Sequence, residues 1–382
     1  MAWLTAEDAL ELLGTKPQSL YASVSRGRIR ARPDPEDPRR SLYRREDVER
    51  LAGRAAGRRK SETIAADAMR WGDPVLETAI STVTAGRLYY RGEDTARLAD
   101  RATLEDVASL LWQVPAVTFA APAEEAPHEA GPPLQRLFLM LARRAATDAQ
   151  ALSGSPAELG NHAQELMAAI ATTVTGSAAD LPLHRRLAAA WQRPEAAHLL
   201  RRSLVLLAEH ELNASTFAAR IAASTGAPLS AAVLAALSTL TGHRHGGASA
   251  EIARLAADAE RQGAPHAVAE VISGGHTPPG FGHRLYPDGD IRARVLLSGL
   301  ALPPPYAALL EAGRAATGEE PNVDFALAAI RAAFRLPADA PLLLFAVARS
   351  VGWLAHAIEQ ATSGALVRPR ARYVGPDPRL TP

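Results

Sequence analysis

From about residue 64 to its end, the chain is a succession of alanine- and leucine-rich stretches, each of helical length and each interrupted by glycine or proline. Apolar residues at helical spacing between such breakers predict amphipathic helices. Hydrophobic residues make up 47% of the chain and aromatic residues only 5%, so the apolar surface is mostly aliphatic and rich in alanine. That favours helix packed on helix over a sheet-built core, and the expected fold class is mainly α. Residues 214–240 read as two helical runs parted at Gly226-Ala227-Pro228, and residues 121–133 as a proline- and acid-rich loop.

The first 60 residues differ from the rest. They hold 14 Lys and Arg against 9 Asp and Glu, a balance of +5, while the remainder carries −4. Thr5-Ala6-Glu7-Asp8 has the form of a capping box, followed by apolar Ala9, Leu10, Leu12 and Leu13, so a first helix is expected to end at Gly14. Pro17 suits the first turn of a second helix running to Ser25 and closed by Gly27. Ile29–Arg32 and Ser41–Arg44 read as strands around a proline-rich turn, and Arg45 opens another helix. This layout resembles the winged helix-turn-helix of the MerR and excisionase type, placed at residues 1–52, with 53–75 as a linker. Arg26, Arg28, Arg30 and Arg32 are candidates for DNA contact, with a solvated basic edge as the alternative; for the module as a whole the alternative is a protein-interaction role or packing against the rest of the chain.

With no cysteine, the chain has no disulfide, thiolate metal site or cysteine nucleophile. His243-x-His245 has no third ligand at short spacing, so no metal is expected. Residues 1–14 lack the basic start and apolar run of a signal peptide, and no segment offers about 18 charge-free apolar residues. A soluble, cytoplasmic protein with no membrane partner is the expectation.

Four clusters stand out from the alanine-rich background: His210–Thr216, Gly242–Ala248, Pro279–Tyr286 and Pro321–Phe325. In this order, and with Ala348–His356 and Arg368-Pro369-Arg370 after them, they closely resemble the active-site signatures of citrate synthases. Leu88–Gly92 is similar to an early tyrosine-arginine-glycine segment of the same family. The resemblance covers roughly residues 76–376. It implies a helical fold of two domains, a large one from 76–246 and 343–382 and a small one from 247–342 that closes over it.

The resemblance also implies a chemistry. A CoA thioester must lose a proton from a weakly acidic methyl group, and Asp324 matches the carboxylate base. His245 matches the hydrogen-bond donor to the resulting enol oxygen, and His283 the group that polarises and protonates the ketone of oxaloacetate. Two carboxylates call for forked guanidinium groups, matched by Arg292, Arg349 and Arg368 with His210 assisting. Arg368 would reach the site of a partner subunit, implying a homodimer. Pro279, Gly280, Phe281 and Gly282 would lie along CoA, and acetyl-CoA would be a substrate with no permanently bound cofactor. His243 stands in place of a usual proline, Ser249 of an asparagine, Pro287 of a basic residue, and Ile291 of a proline. Propionyl-CoA, giving 2-methylcitrate, is an alternative substrate, and a DNA-binding regulator with a metabolite-sensing body is an alternative function.

Overall fold

The computed structural model describes residues 3–13, 17–25, 29–35, 37, 40–49, 76–120, 130–149, 154–243, 245–371 and 373–375. The expected linker at 53–75, most of the loop at 121–133, and Arg26 and Arg28 lie outside the described residues. The chain divides into two units, Met1–Glu77 and Thr78–Pro382.

The first unit opens its Ala6–Leu13 helix on the foreseen capping box. Asp8 N donates to Thr5 Oγ1 at 3.2 Å, and Thr5 N donates to Asp8 Oδ2 at 3.3 Å. Ala9 and Leu13 of this helix and Leu20 of the Pro17–Ser25 helix point inward and meet Leu4, Ile29, Tyr43 and Val48 in one small core. Three antiparallel strands complete it, with β3 (Ser41–Arg44) between β1 (Trp3–Leu4) and β2 (Ala31–Pro33). Pro33, which has no N–H to donate, ends an edge strand. The β1 strand was not foreseen, and β2 begins two residues later than expected because Ile29 turns into the core. Arg30 grips the buried carboxylate of Asp47 through Nε (2.8 Å) and Nη2 (3.0 Å), and Arg32 lies over the Trp3 ring at 4.4 Å. Both arginines thus engage side chains of their own unit.

The second unit begins with an antiparallel meander of β4 (Ser81–Thr84), β5 (Arg87–Tyr90) and β6 (Glu93–Asp94), and is helical thereafter, as the alanine-rich pattern predicts. Capping boxes at Thr103/Asp106 and Ser155/Glu158 set helix starts in the same way as in the first unit. The expected break near Gly226 separates helices Ala214–Ser224 and Leu229–Leu240. The 24-residue Ala340–Ser363 helix is long and apolar enough to cross a bilayer, yet it lies almost wholly buried inside the protein as a core helix.

Two hydrophobic clusters form the interior of this unit. The larger takes in the Ala340–Ser363 helix and residues from Ile80 onward. The smaller is built from residues between Ile252 and Ala329, centred on Ile252, Phe281, Leu309 and Phe325. The Val323–Phe334 helix lies on the seam: Val323, Ala326, Leu327 and Ile330 face the larger cluster, while Phe325, Ala328 and Ala329 face the smaller. Ala293 and Leu296 also join the larger cluster, although they fall within the segment expected to be a separate domain.

Candidate active site

The platform of the site is one stripe of the Ala340–Ser363 helix. Arg349, Gly352, Trp353 and His356 recur at spacings of three and four, so they share a face. That face meets the turn at residues 208–213. Gly352 N donates to the Ala208 carbonyl at 3.1 Å, and a Cβ at position 352 would sit 2.4 Å from that oxygen, an approach only glycine permits. Arg349 Nε donates to Leu207 O at 2.8 Å.

The same turn is held from its other side. Tyr90 accepts from Glu209 N at 3.1 Å and reaches the carbonyls of Val205 and Glu209. Glu209 is wholly buried, pairing with His356 Nε2 at 3.2 Å and accepting from Ser81 Oγ and from Glu211 N. Burial alone would raise its carboxyl, but the hydrogen bond and charge of His356, the Arg349 charge and the Ser81 hydroxyl together hold it below the ordinary carboxylate range. The consequence of this anchoring is a fixed His210, whose Nε2 lies 2.8 Å from Tyr286 Oη.

Three helix N-termini supply further site residues, each from the first turn and each behind a side-chain cap. Asn213 Oδ1 accepts from Ser215 N and Thr216 N at 3.2 Å, Asp290 Oδ1 from Arg292 N at 3.0 Å, and Asn322 Oδ1 from Asp324 N at 3.1 Å. Ser215 Oγ sits at a junction, 2.9 Å from His245 Nε2, 3.1 Å from Trp353 Nε1 and 2.7 Å from Asn213 Oδ1. The indole can only donate and Asn213 Oδ1 can only accept, so the serine proton lies on the 2.7 Å contact to Asn213, beside two backbone amides on the same oxygen. A turn of the hydroxyl that moved this proton to His245 Nε2 would leave the imidazole's own proton on Nδ1.

His283 is tied to Asp324 through backbone pairing. Gly282 N donates to Glu320 O at 2.9 Å and Asn322 N to Gly280 O at 2.8 Å, so the segment before His283 runs against the residues that lead into Asp324. Phe281 is buried between Phe325 and Gly313, and a Cβ at Gly280 (φ +90°) would press on Ile252 and Phe325 at 3.0–3.1 Å. Of the four residues expected along CoA, then, Gly280 and Phe281 are buried, with the Phe281 ring part of the smaller core, and Pro279 and Gly282 are half-buried. Leu285 N donates to His283 Nδ1 at 3.2 Å, which puts the proton of a neutral ring on Nε2.

The guanidinium of Arg292 is buried and held bidentately by Asp290, Nε to Oδ1 at 2.9 Å and Nη2 to Oδ2 at 2.8 Å, while Val323 N donates to the same carboxylate at 2.9 Å. Among the described residues, both terminal nitrogens of Arg349 have no protein hydrogen-bond partner, and the guanidinium lies 4.9 Å over the Phe345 ring. These two cations reach every predicted catalytic group. Burial, then the Arg349 charge, lowers His245 to about 4; burial, then the Arg292 charge, lowers His283 to about 4. His210 is driven well below the ordinary histidine value by burial, then by Arg292 and Arg349. All three rings are therefore neutral at physiological pH. Asp324 goes the other way: burial pushes it up to about 6, against the opposing pull of Arg292 and Arg349. The structure thus brings His210, His245, His283, Arg292, Arg349 and Asp324 into one electrostatic neighbourhood. Arg368 is exposed beyond the last helix and does not join them within this chain.

Residues 69–370 match the family described as "Citrate synthase, C-terminal domain". The chain belongs to the citrate synthase family. Citrate synthase 2 of Bacillus subtilis is 29% identical over 347 residues, covering 78% of this chain and 93% of its own. Putative citrate synthase 2 of Mycobacterium tuberculosis is 40% identical over 188 residues, covering 46% of this chain and 50% of its own. The chain therefore spans about half the length of the mycobacterial relatives it matches. Among solved structures, citrate synthase from Thermotoga maritima superposes with a TM-score of 0.65 at 27% identity, over 81% of this chain and 96% of that one. A ternary complex of Thermoplasma acidophilum citrate synthase with carboxymethyl coenzyme A and oxaloacetate gives a TM-score of 0.65 at 25% identity, over 81% of this chain and 96% of that one.

Citrate synthases use acetyl-CoA as a substrate and need no permanent cofactor. Among the described residues, no group of three His, Cys, Asp or Glu is placed to hold a metal ion. Four residues that build this site have no role in the sequence reading: Ser215, Tyr286, Asp290 and Glu209. Three lie within or beside the quoted motifs, and Asp290 had a signal of its own, an acid two positions before an arginine at a helix start.

Proposed function

We propose that the protein is a citrate synthase-like acyltransferase, condensing acetyl-CoA with oxaloacetate and water to give citrate and CoA. The Asp324 carboxylate takes a proton from the methyl group of the thioester. The enol oxygen receives a hydrogen bond from His245 Nδ1, whose proton is kept there when Ser215 donates to Nε2. The enol carbon attacks the ketone carbon of oxaloacetate, and His283 Nε2–H polarises and then protonates the ketone oxygen. Water hydrolyses the citryl thioester, releasing CoA as the free thiol. Arg292 and Arg349 bind the two carboxylates of oxaloacetate, with His210 donating to one of its oxygens.

The observation that carries this reading is that Arg292 acts on both Asp324 and His283, and Arg349 on both Asp324 and His245, although these three groups stand 38 to 79 positions apart in sequence. Thiol release from acetyl-CoA in the presence of oxaloacetate tests it; the expected result is oxaloacetate-dependent release far above background, and release at background would refute it. Propionyl-CoA is the second reading, favoured by the similarity to 2-methylcitrate synthase 1 of Corynebacterium glutamicum, 35% identical over 189 residues. One methylene is worth only about 1–3 kcal/mol of discrimination, so the two thioesters are to be compared side by side.

Three further parts of the reading rest on the family pattern. Exposed Arg368 completes the site of a second copy in a homodimer, segment 279–282 borders CoA, and residues 247–342 close over the site as a small domain. Residues 1–68 lie outside the matched region. The paired helices and the +5 charge of residues 1–60 support a helix-turn-helix role in DNA contact, to be tested by gel retardation at low salt.

A further inference from the structure

Tyr286 closes the sequence motif that holds His283, yet the reaction as written gives the tyrosine no part. Its ring is buried at the centre of the site, 4.9 Å from His283, 5.6 Å from His210 and 5.3 Å below the Arg292 guanidinium. Among the described residues its hydroxyl has one hydrogen-bond partner, His210 Nε2 at 2.8 Å. No hydrogen bond among those residues occupies His210 Nδ1.

A neutral imidazole carries one N–H, and the hydroxyl at Nε2 decides where it is. If Tyr286 donates, Nε2 is the acceptor and the ring proton is on Nδ1. If His210 donates instead, Nδ1 presents a bare lone pair, and the tyrosine proton has no acceptor among the described residues. Burial raises Tyr286 beyond any physiological titration, so the hydroxyl always has its proton to give. Burial, then the two arginines, keeps His210 neutral, so it has only the one N–H.

We infer that Tyr286 is a positioning residue for substrate binding: its hydroxyl fixes His210 as the Nδ1–H tautomer, which turns a histidine of ambiguous polarity into a donor for a carboxylate or carbonyl oxygen of a 2-oxo dicarboxylate. This rests on the proposed reading for the identity of the anion; the tautomer does not. A phenylalanine at 286 keeps the ring and its packing but lets His210 place its proton on either nitrogen, and in the Nε2–H tautomer a lone pair faces the substrate.

Nitrogen-15 NMR of histidine-labelled protein, with His210 assigned by its loss in His210→Gln, reads the tautomer directly and needs neither substrate nor turnover. The expected spectrum of the wild-type protein has His210 Nδ1 protonated and Nε2 bare; Nε2 protonated and Nδ1 bare would overturn the inference. In Tyr286→Phe the two nitrogens should move toward a mixed state, and the KM for oxaloacetate should rise 10- to 100-fold while that for the acyl-CoA changes less than threefold. Equal losses for both substrates, with the His210 tautomer unchanged, would mean a packing role only and would also overturn it. Should the wild-type protein bind no oxaloacetate by calorimetry, the proposed function fails while the tautomer assignment is still decided by the spectrum.

Discussion

Gly352 rests directly on the carbonyl of Ala208: its amide donates to that oxygen at 3.1 Å, and an added methyl would sit 2.4 Å from the oxygen and 2.8 Å from Glu209 Cγ. The contact joins the buried core helix to the turn that carries His210, so packing and chemistry meet at one backbone hydrogen bond. Gly352→Ala should cost about 1–3 kcal/mol through overpacking, and should weaken oxaloacetate binding more than acyl-CoA binding. Thermal unfolding and calorimetric titration check both halves. A variant with unchanged melting temperature and unchanged binding would contradict this role.

Asp324 works as a base only when ionised, and burial pushes it up to about 6. The account predicts that kcat/KM falls tenfold per pH unit below about 6, with a plateau above. His245 and His283, both lowered to about 4, remain neutral across that limb and do not shape it. Asp324→Asn should lower turnover by about 10³-fold or more with little change in oxaloacetate affinity. A pH profile flat from 5 to 8 would argue against the assignment.

Asp290 anchors Arg292 through two bonds, caps the helix that carries it, and accepts from Val323 N. Asp290→Ala leaves a buried cation without its partner, a change that costs about 3–5 kcal/mol in such settings. The expected outcome is a lower denaturation midpoint together with a raised KM for oxaloacetate. Arg292→Met strands the buried Asp290 carboxylate, which keeps the amides of residues 292 and 323 and can neutralise by protonation as a guanidinium cannot, so it should lose oxaloacetate binding at a smaller cost in stability; urea titrations of the two variants side by side decide it.

Much of this was legible because it is local. The Thr5–Asp8 box depends on residues three apart and formed as read, and the helix break at Gly226 follows from a short run of glycine and proline. The motif residues His210, His245, His283, Arg292, Arg349 and Asp324 come together because family resemblance carries the distant pairings that spacing does not. What stayed hidden is pairing across long separations between common residue types. Tyr286 meets His210 across 76 positions, and Ser215 meets Trp353 across 138. A serine in a first helical turn is ordinarily a capping residue, and nothing beside it in the sequence marks it as a junction for an imidazole and an indole. The β1 strand of two residues is too short to show any periodicity. Arg368, matched by the same resemblance, is exposed beyond the last helix and stands apart from those six residues.

Glu209 contributes to the acid limb of stability. Its carboxyl is held below the ordinary value by His356, Arg349 and Ser81 despite burial. A depressed folded pKa stabilises fully above the unfolded value of 4.5 and is lost as pH falls through the lower folded one. The difference in urea midpoint between the wild-type protein and Glu209→Gln, in which the shared contributions of Asp324 and the buried histidines cancel, should therefore be steady from pH 7 to about 5 and shrink below 4.5. A difference that grows on acidification would contradict the ionised Glu209.

The central claim is that one carboxylate and two imidazoles act on a single thioester beside a bound dicarboxylate. A crystal structure with oxaloacetate and carboxymethyl-CoA, whose carboxylate stands in for the enolised acetyl group, measures this directly. The account predicts that carboxylate within about 3 Å of both Asp324 and His245, with the oxaloacetate ketone oxygen at the same distance from His283 Nε2. Ligands bound elsewhere, or Asp324 more than about 6 Å from the carboxymethyl group with oxaloacetate in place, would contradict it.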